Sequence, residues 1–302
     1  MSVSDQASSA DLVSLLASAS VEISSRGHQL PELGDHFAAG TDVTITFLPG
    51  DNYRHNVETA SALRRAGFNP VPHIAAREIA SREALDDFLA RLRSEADVRR
   101  VLLIAGDVAG ARGPFKASRD VADSGLLQAH GIAHVSVAGH PEGHPYLDEA
   151  GTLMVLEGWR DWGQKTRIRV DLVTQFCFES APILNLLGKL GSLGIDLPVI
   201  VGLAGPATPA TLTKFALRCG IGNSIRALRG QIGRYGRLLA DTGPDDIMRG
   251  LQAVPRPMTQ AIAGFHLFPF GGLRKARNWL RGYPQAAPCK THEAASAHVQ
   301  NP

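Results

Sequence analysis

Eight short apolar or β-branched runs alternate with helical patterns along the chain, and this alternation predicts a single-domain α/β protein of the (β/α)8 barrel class. Two further observations point the same way. The runs VLLIAG (101–106) and PVIVGL (198–203) are apolar throughout, as strands buried on both faces require. The segment SVEISSRG (20–27) has no GxGxxG turn, which an open doubly wound sheet usually carries after its first strand.

The strands are expected at 19–23, 42–47, 70–74, 100–105, 134–138, 169–178, 198–203 and 263–268. Helix-period apolar residues fall between them, at 56–66, 82–94 and 209–219. Ser81, followed by Glu83 and Asp86, is a helix-start signal. The stretch 208–257 is long enough for more than one helix before the last strand. Residues 1–16 and 284–302 are expected to be flexible flanks of a barrel spanning 17–283. The first ten residues are small and polar, and the last nineteen have no apolar period.

Composition narrows the class. Of 302 residues, 44% are hydrophobic, enough for a large core, and 31 Lys and Arg nearly balance 29 Asp and Glu. Neither a nucleic-acid partner nor a membrane surface is suggested. Cys177, Cys219 and Cys289 form no CxxC pair, which argues against a disulfide framework or structural zinc and fits a reducing cytoplasm. The first thirty residues carry no basic stretch leading into an apolar core, so no signal peptide is expected. No apolar run approaches a membrane span. A cytoplasmic protein is expected, with self-association into a homo-oligomer left open.

In this fold the chemistry sits at the C-terminal strand ends. There the sequence places Glu22, Thr46, His73, Asp107, His140 with Glu142 and His144, and Thr174 with Gln175. The last strand ends in His266, followed by Pro269, Gly271 and Gly272. Glu22 lies between Val21 and Ile23, where a carboxylate is costly unless paired or protonated. It is either salt-bridged, to Arg26 or Arg169, or a general acid of raised pKa. Asp107 follows Gly106, a step that lets backbone approach a ligand, or else starts an Asx-turn or helix cap. His140-Pro-Glu-Gly-His-Pro cannot be a zincin helix, because two prolines interrupt it. No cysteine or third carboxylate accompanies it, so a rigid loop presenting imidazole is expected and no metal. The glycines at 202–205 and 230–236 lack the GK[ST] ending of a phosphate loop. Arg226, Arg229, Arg234 and Arg237, around the second, read either as a site for an anionic tail or as a solvated helix face.

The ordered strand ends resemble the methylenetetrahydrofolate reductase family. The matching segments are VEIS (21–24), TFLPG (46–50), PHIAAR (72–77), IAGD (104–107), HPEGHP (140–145), VTQFCF (173–178), PVIVGL (198–203) and GFHLFPF (264–270). They run in the family's order over residues 17–282, without the regulatory domain of the animal enzymes. The resemblance implies FAD as cofactor, NADH or NADPH as co-substrate, and reduction of the folate 5,10-methylenetetrahydrofolate to 5-methyltetrahydrofolate. It makes Glu22 the catalytic acid that protonates N10, and Asp107 and Gln175 the residues that hold the pterin. It puts Thr46, Phe47, His73, Gly106, Asp107, His140 and His144 at flavin-contacting positions, and offers Lys165 for the flavin phosphates.

The chain departs from the family at four places. Ile23-Ser24-Ser25 replace aromatics and prolines after the acid, Ala105 replaces an arginine before the Gly-Asp step, and His140 replaces an aromatic. Pro269 and Gly271-Gly272 replace polar residues after the last strand. The alternatives are the same barrel taking electrons from a partner protein or running oxidatively, a folate-binding companion subunit without flavin, and a pterin-dependent methyltransferase barrel.

Overall fold

A computed structural model of the chain describes residues 12–48, 50–144, 146–218 and 241–283. The expected flanks 1–11 and 284–302, and the glycine- and arginine-rich stretch 219–240, lie outside the described residues. Eight parallel strands close into a barrel in sequential order. They are β1 (Ser20–Ile23), β2 (Asp42–Ile45), β3 (Asn69–Ala75), β4 (Arg100–Ile104), β5 (His134–Gly139), β6 (Arg169–Thr174), β7 (Val199–Ala204) and β8 (Ile262–Phe268). β8 pairs with β1 to complete the ring, Ser20 opposite His266. Each expected strand is present within two residues, except that β6 ends at Thr174 and not at 178. Beyond it the backbone leaves the ladder, touching β7 again through one bridge, Cys177 to Leu203.

Helices α1 (Leu30–His36), α2 (Tyr53–Arg65), α3 (Arg82–Ala96), α4 (Ser118–Asp123), α5 (Leu126–Ala129), α6 (Glu149–Thr166), α7 (Ala181–Ser192), α8 (Pro209–Arg218), α9 (Asp245–Gln252) and α10 (Leu273–Gly282) follow the strands. Ser81 caps α3 as expected, its hydroxyl accepting from the Ala84 N–H at 3.2 Å. Among the described residues two helices, α8 and α9, fall within 208–257. Residues 12–17 correct the expected flexible flank: they are helical, and Leu12, Val13 and Leu16 are buried. Their i, i+1, i+4 spacing puts three apolar side chains on one helical face, which outweighs the polar composition before them. Among the described residues no helix is long and apolar enough to cross a membrane.

Alternation along the strands builds two interiors. Val21, Ile23, Val43, Ile45, Ile74, Val101, Leu103, Val135 and Val137 belong to the main core with the helices. The opposite set points to the barrel axis, where Val71, Leu102 and Val173 form a separate apolar cluster with Ile104 and Ile200. Barrel axes are commonly filled by layers of branched apolar side chains, but both ends of this one are polar. At the N-terminal end Arg100 reaches Asp42 at 2.7 Å and Asp171 at 2.9 Å, and Ser136 accepts from its Nε at 3.2 Å. His134 Nε2 lies 2.7 Å from the same Asp171 oxygen. Burial pushes the Asp171 carboxyl upward, but the His134 hydrogen bond and the Arg100 charge outweigh it and hold the group below its usual range.

This network is internal and the surface pairs are not, so removing one partner from each should separate them. Arg100→Met leaves the buried Asp171 carboxylate with His134 alone and the partly exposed Asp42 without its cation, and should cost about 3 kcal/mol in urea denaturation at pH 7. Lys189→Met, which breaks the pair with Glu149, should cost less than ~1 kcal/mol. The Asp171 contribution is present above its unfolded pKa of about 4 and is lost as pH falls through its depressed folded value. Equal, small losses in both variants would contradict the internal role of Arg100.

Candidate active site

The C-terminal mouth is built from the strand ends. Glu22 projects inward from β1 between two outward apolar residues, with 17% of its side chain exposed. Neither guanidinium expected to pair with it does so. Arg26 lies 3.9 Å from Asp51 instead, and Arg169, exposed, begins β6 at the far end of the barrel. The group facing Glu22 is His73 of β3, whose Nε2 lies 3.6 Å from the carboxylate oxygen. Burial pushes the Glu22 carboxyl up to about 8 and the His73 imidazole down to about 4. At neutral pH the first is a protonated acid and the second a neutral base.

Around this pair the mouth is polar but uncharged. Thr46, one residue past β2, donates its backbone N–H to the Ile23 carbonyl at 3.0 Å. Its Oγ1 and His73 Nε2 are buried with no hydrogen-bond partner among the described residues, so each can take a further partner. His266 is buried deeper, its Nδ1 2.8 Å from the Ser20 hydroxyl and its Nε2 3.5 Å from that of Thr44. Burial, then the fields of His73 and Arg100, keep it neutral with a pKa of about 3. Above it Phe268 sits edge-on at 4.7 Å. Phe268 lies against Gly202, where an added Cβ would come within 2.8 Å of the ring and 2.2 Å of the Thr174 carbonyl.

The β4–β5 side carries the other candidates. Gly106 adopts φ +92°, open to glycine but strained for other residues, and puts the exposed Asp107 carboxylate on the rim. Asp107 caps no helix and has no ion pair or hydrogen bond among the described residues. His140 and His144 meet edge to face at 4.7 Å. They sit on a turn closed by the Gly143 N–H to the His140 carbonyl at 3.0 Å, a loop and not a helix. His144 Nδ1 accepts from the Tyr146 N–H at 3.1 Å, which places the ring proton on Nε2 when it is neutral. Burial holds His140 near 4 and, with the Arg77 charge, lowers His144. Gln175 sits beside this loop, its N–H bonded to the Gly139 carbonyl at 2.8 Å. Its Oε1 accepts from its neighbour's N–H at 3.2 Å.

Two expected cofactor contacts do not join the mouth. Phe47 is turned outward by the alternation of β2 and is buried in the barrel–helix core. Lys165 is exposed in the last turn of α6, four residues before β6 begins, and so stands at the N-terminal end of the barrel. The helix after a strand runs back toward that end, and a lysine near its C-terminus suits the helix dipole. Arg77, just after β3, is a cation on the mouth side. Its Nε donates to the Lys116 carbonyl at 2.9 Å and Nη1 to that of Val108 at 3.4 Å. No carboxylate among the described residues lies within salt-bridge distance of it. The sequence held a signal for it, because Arg77 ends the segment that carries His73. A cleft of about 350 Å³ opens at the opposite end, between Leu12, Leu15, Arg256 and Ile262, and contains none of these residues. No protein-family model matches the chain.

The protonation state of Glu22 has a measurable consequence for stability. Its folded pKa is raised, so stability is fully present below the unfolded value near 4.3 and is lost as pH rises toward 8. Glu22→Gln removes that loss. The variant should match wild type below pH ~4 and exceed it by about 4–5 kcal/mol at pH 8 in urea denaturation. Parallel stability profiles at all pH values would show that Glu22 is ionised and solvated in the folded protein.

Proposed function

We propose that this barrel is a flavin-dependent methylenetetrahydrofolate reductase that takes its reducing equivalents from NADH or NADPH. One observation carries the reading. A carboxyl with no cation beside it among the described residues stands in the mouth of the barrel and, with its pKa raised to about 8 by burial, holds its proton at neutral pH, as a general acid must. The residues of the mouth fit a flavin. Thr46 Oγ1 offers an unpartnered polar atom to a ring edge. Gly106 allows close backbone approach, and Arg77 and His144 can meet an anionic tail. A bound flavin would supply the hydride chemistry, and the protein supplies position and protons.

In this reading Asp107 and Gln175 hold the pterin, Gln175 giving up its internal hydrogen bond to do so. Glu22 gives its proton to N10 of the folate. The N10–methylene bond then opens to an iminium, whose carbon is the hydride acceptor. The neutral surroundings keep the acid protonated until an acceptor arrives and exclude a competing charge. A second reading, a folate-binding barrel without flavin, draws support from Lys165 at the far end and Ala105 on the rim. Those two positions leave the mouth few cations for a diphosphate.

A spectrum separates the two. The purified protein should be yellow, or become so with added FAD, and should bleach with NADH or NADPH under anaerobic conditions. Methylenetetrahydrofolate should then restore the colour. A colourless protein that takes up no FAD yet binds folate would favour the second reading.

A further inference from the structure

We propose that His73 is the positioning residue for Glu22, the group that supports the Glu22 carboxylate once its proton has left. The proposal begins from geometry. β1 and β3 flank β2, whose Thr44 is opposite Glu22 on one side and Val71 on the other. Val71 is therefore level with Glu22, and His73 stands one inward position nearer the mouth, with its Nε2 3.6 Å from Glu22 Oε2. That distance is just beyond a hydrogen bond, and a small side-chain rotation closes it. His73 Nε2 is buried and has no hydrogen-bond partner among the described residues. A buried ring nitrogen is costly to leave unpaired, so this atom is held for something inside the site.

Among the described residues no other basic side chain is placed to neutralise Glu22. Arg26 is turned to Asp51. From β8, His266 is occupied by Ser20 and Thr44. From β4, Arg100 is committed to Asp42 of β2 and Asp171 of β6, and His134 of β5 to the same Asp171. Asp107 is exposed on the rim. Among the described residues His73 is the one basic side chain within 4 Å of Glu22.

The consequence is a division of labour over the catalytic step. At rest both groups are neutral, Glu22 held up to about 8 and His73 down to about 4 by burial. When the Glu22 O–H bond breaks and the acceptor nitrogen gains the proton, a carboxylate is left in a poorly solvated place. The His73 Nε2–H then donates to it. One proton returned from water restores the neutral pair. Without His73 the carboxylate has no donor, and Glu22 becomes a weaker acid.

The acid role rests on the reductase reading, but the pairing can be measured without it. The probe is the infrared band of the protonated Glu22 carboxyl in the substrate-free protein, identified by its loss in Glu22→Gln. Wild type should lose the band near pH 8. His73→Leu should move that midpoint up by about one unit or more. His73→Gln, which keeps an N–H donor, should move it less than half as far. An unchanged or lowered midpoint in His73→Leu overturns the proposal. So does an equal rise in both variants, because packing alone would then explain it. In single-turnover oxidation of the reduced enzyme by methylenetetrahydrofolate, His73→Leu should be at least ~10-fold slower than wild type and His73→Gln closer to it. A midpoint that depends on His73 in a protein with no reductase activity upholds the pairing and overturns the reductase reading instead.

Discussion

Closing eight parallel strands on themselves sends every second side chain toward one axis, and the rest of the structure follows from what fills it. In this chain the middle of the axis is apolar on the side of β3 to β7, through Val71, Leu102, Val173 and Ile200. Its two ends are polar in different ways. At the N-terminal end charge is met by charge, with Arg100 between Asp42 and Asp171. At the C-terminal mouth charge is suppressed, and Glu22, His73, His266 and His140 are all held neutral by burial. One end is a charge-paired plug and the other a polar mouth whose buried groups are neutral.

Suppressed charge is costly to maintain. A protonated carboxyl in the mouth destabilises the fold at the pH where the unfolded chain would ionise it, and such a cost points to a functional position. The neighbours are consistent with that. Thr46 and His73 keep buried polar atoms without partners. Gly202 and Gly106 sit where a side chain would strike Phe268 or strain the backbone. The mouth, as far as the residues are described, offers hydrogen-bonding groups and few ions.

The barrel was legible from the sequence because strand burial on both faces leaves short apolar runs that little else produces. The inward position of Glu22 was legible for the same reason, as a carboxylate between Val21 and Ile23. Its partner was not, because His73 lies two strands away and only closure of the barrel brings them together. The Arg100 network was hidden too. Arg100, His134 and Asp42 each begin a strand, where a polar residue ordinarily means surface. The alternation Arg100, Leu102, Ile104 was the available signal, since it places the arginine on the same inward face as two residues of the axis. Phe47 and Lys165 show the limit of carrying roles along a chain. One is turned out by strand alternation and the other taken to the far end by helix direction.

The central claim, that Glu22 is the acid of a two-step reaction, is tested most directly by stopped-flow kinetics of Glu22→Gln in each half-reaction. Reduction of the flavin by NADH needs no proton from Glu22 and should proceed near the wild-type rate. Oxidation of the reduced enzyme by methylenetetrahydrofolate should slow by at least about 10²-fold, the usual scale for losing a general acid. Equal losses in both half-reactions would make Glu22 structural, and no loss in either would contradict the assignment.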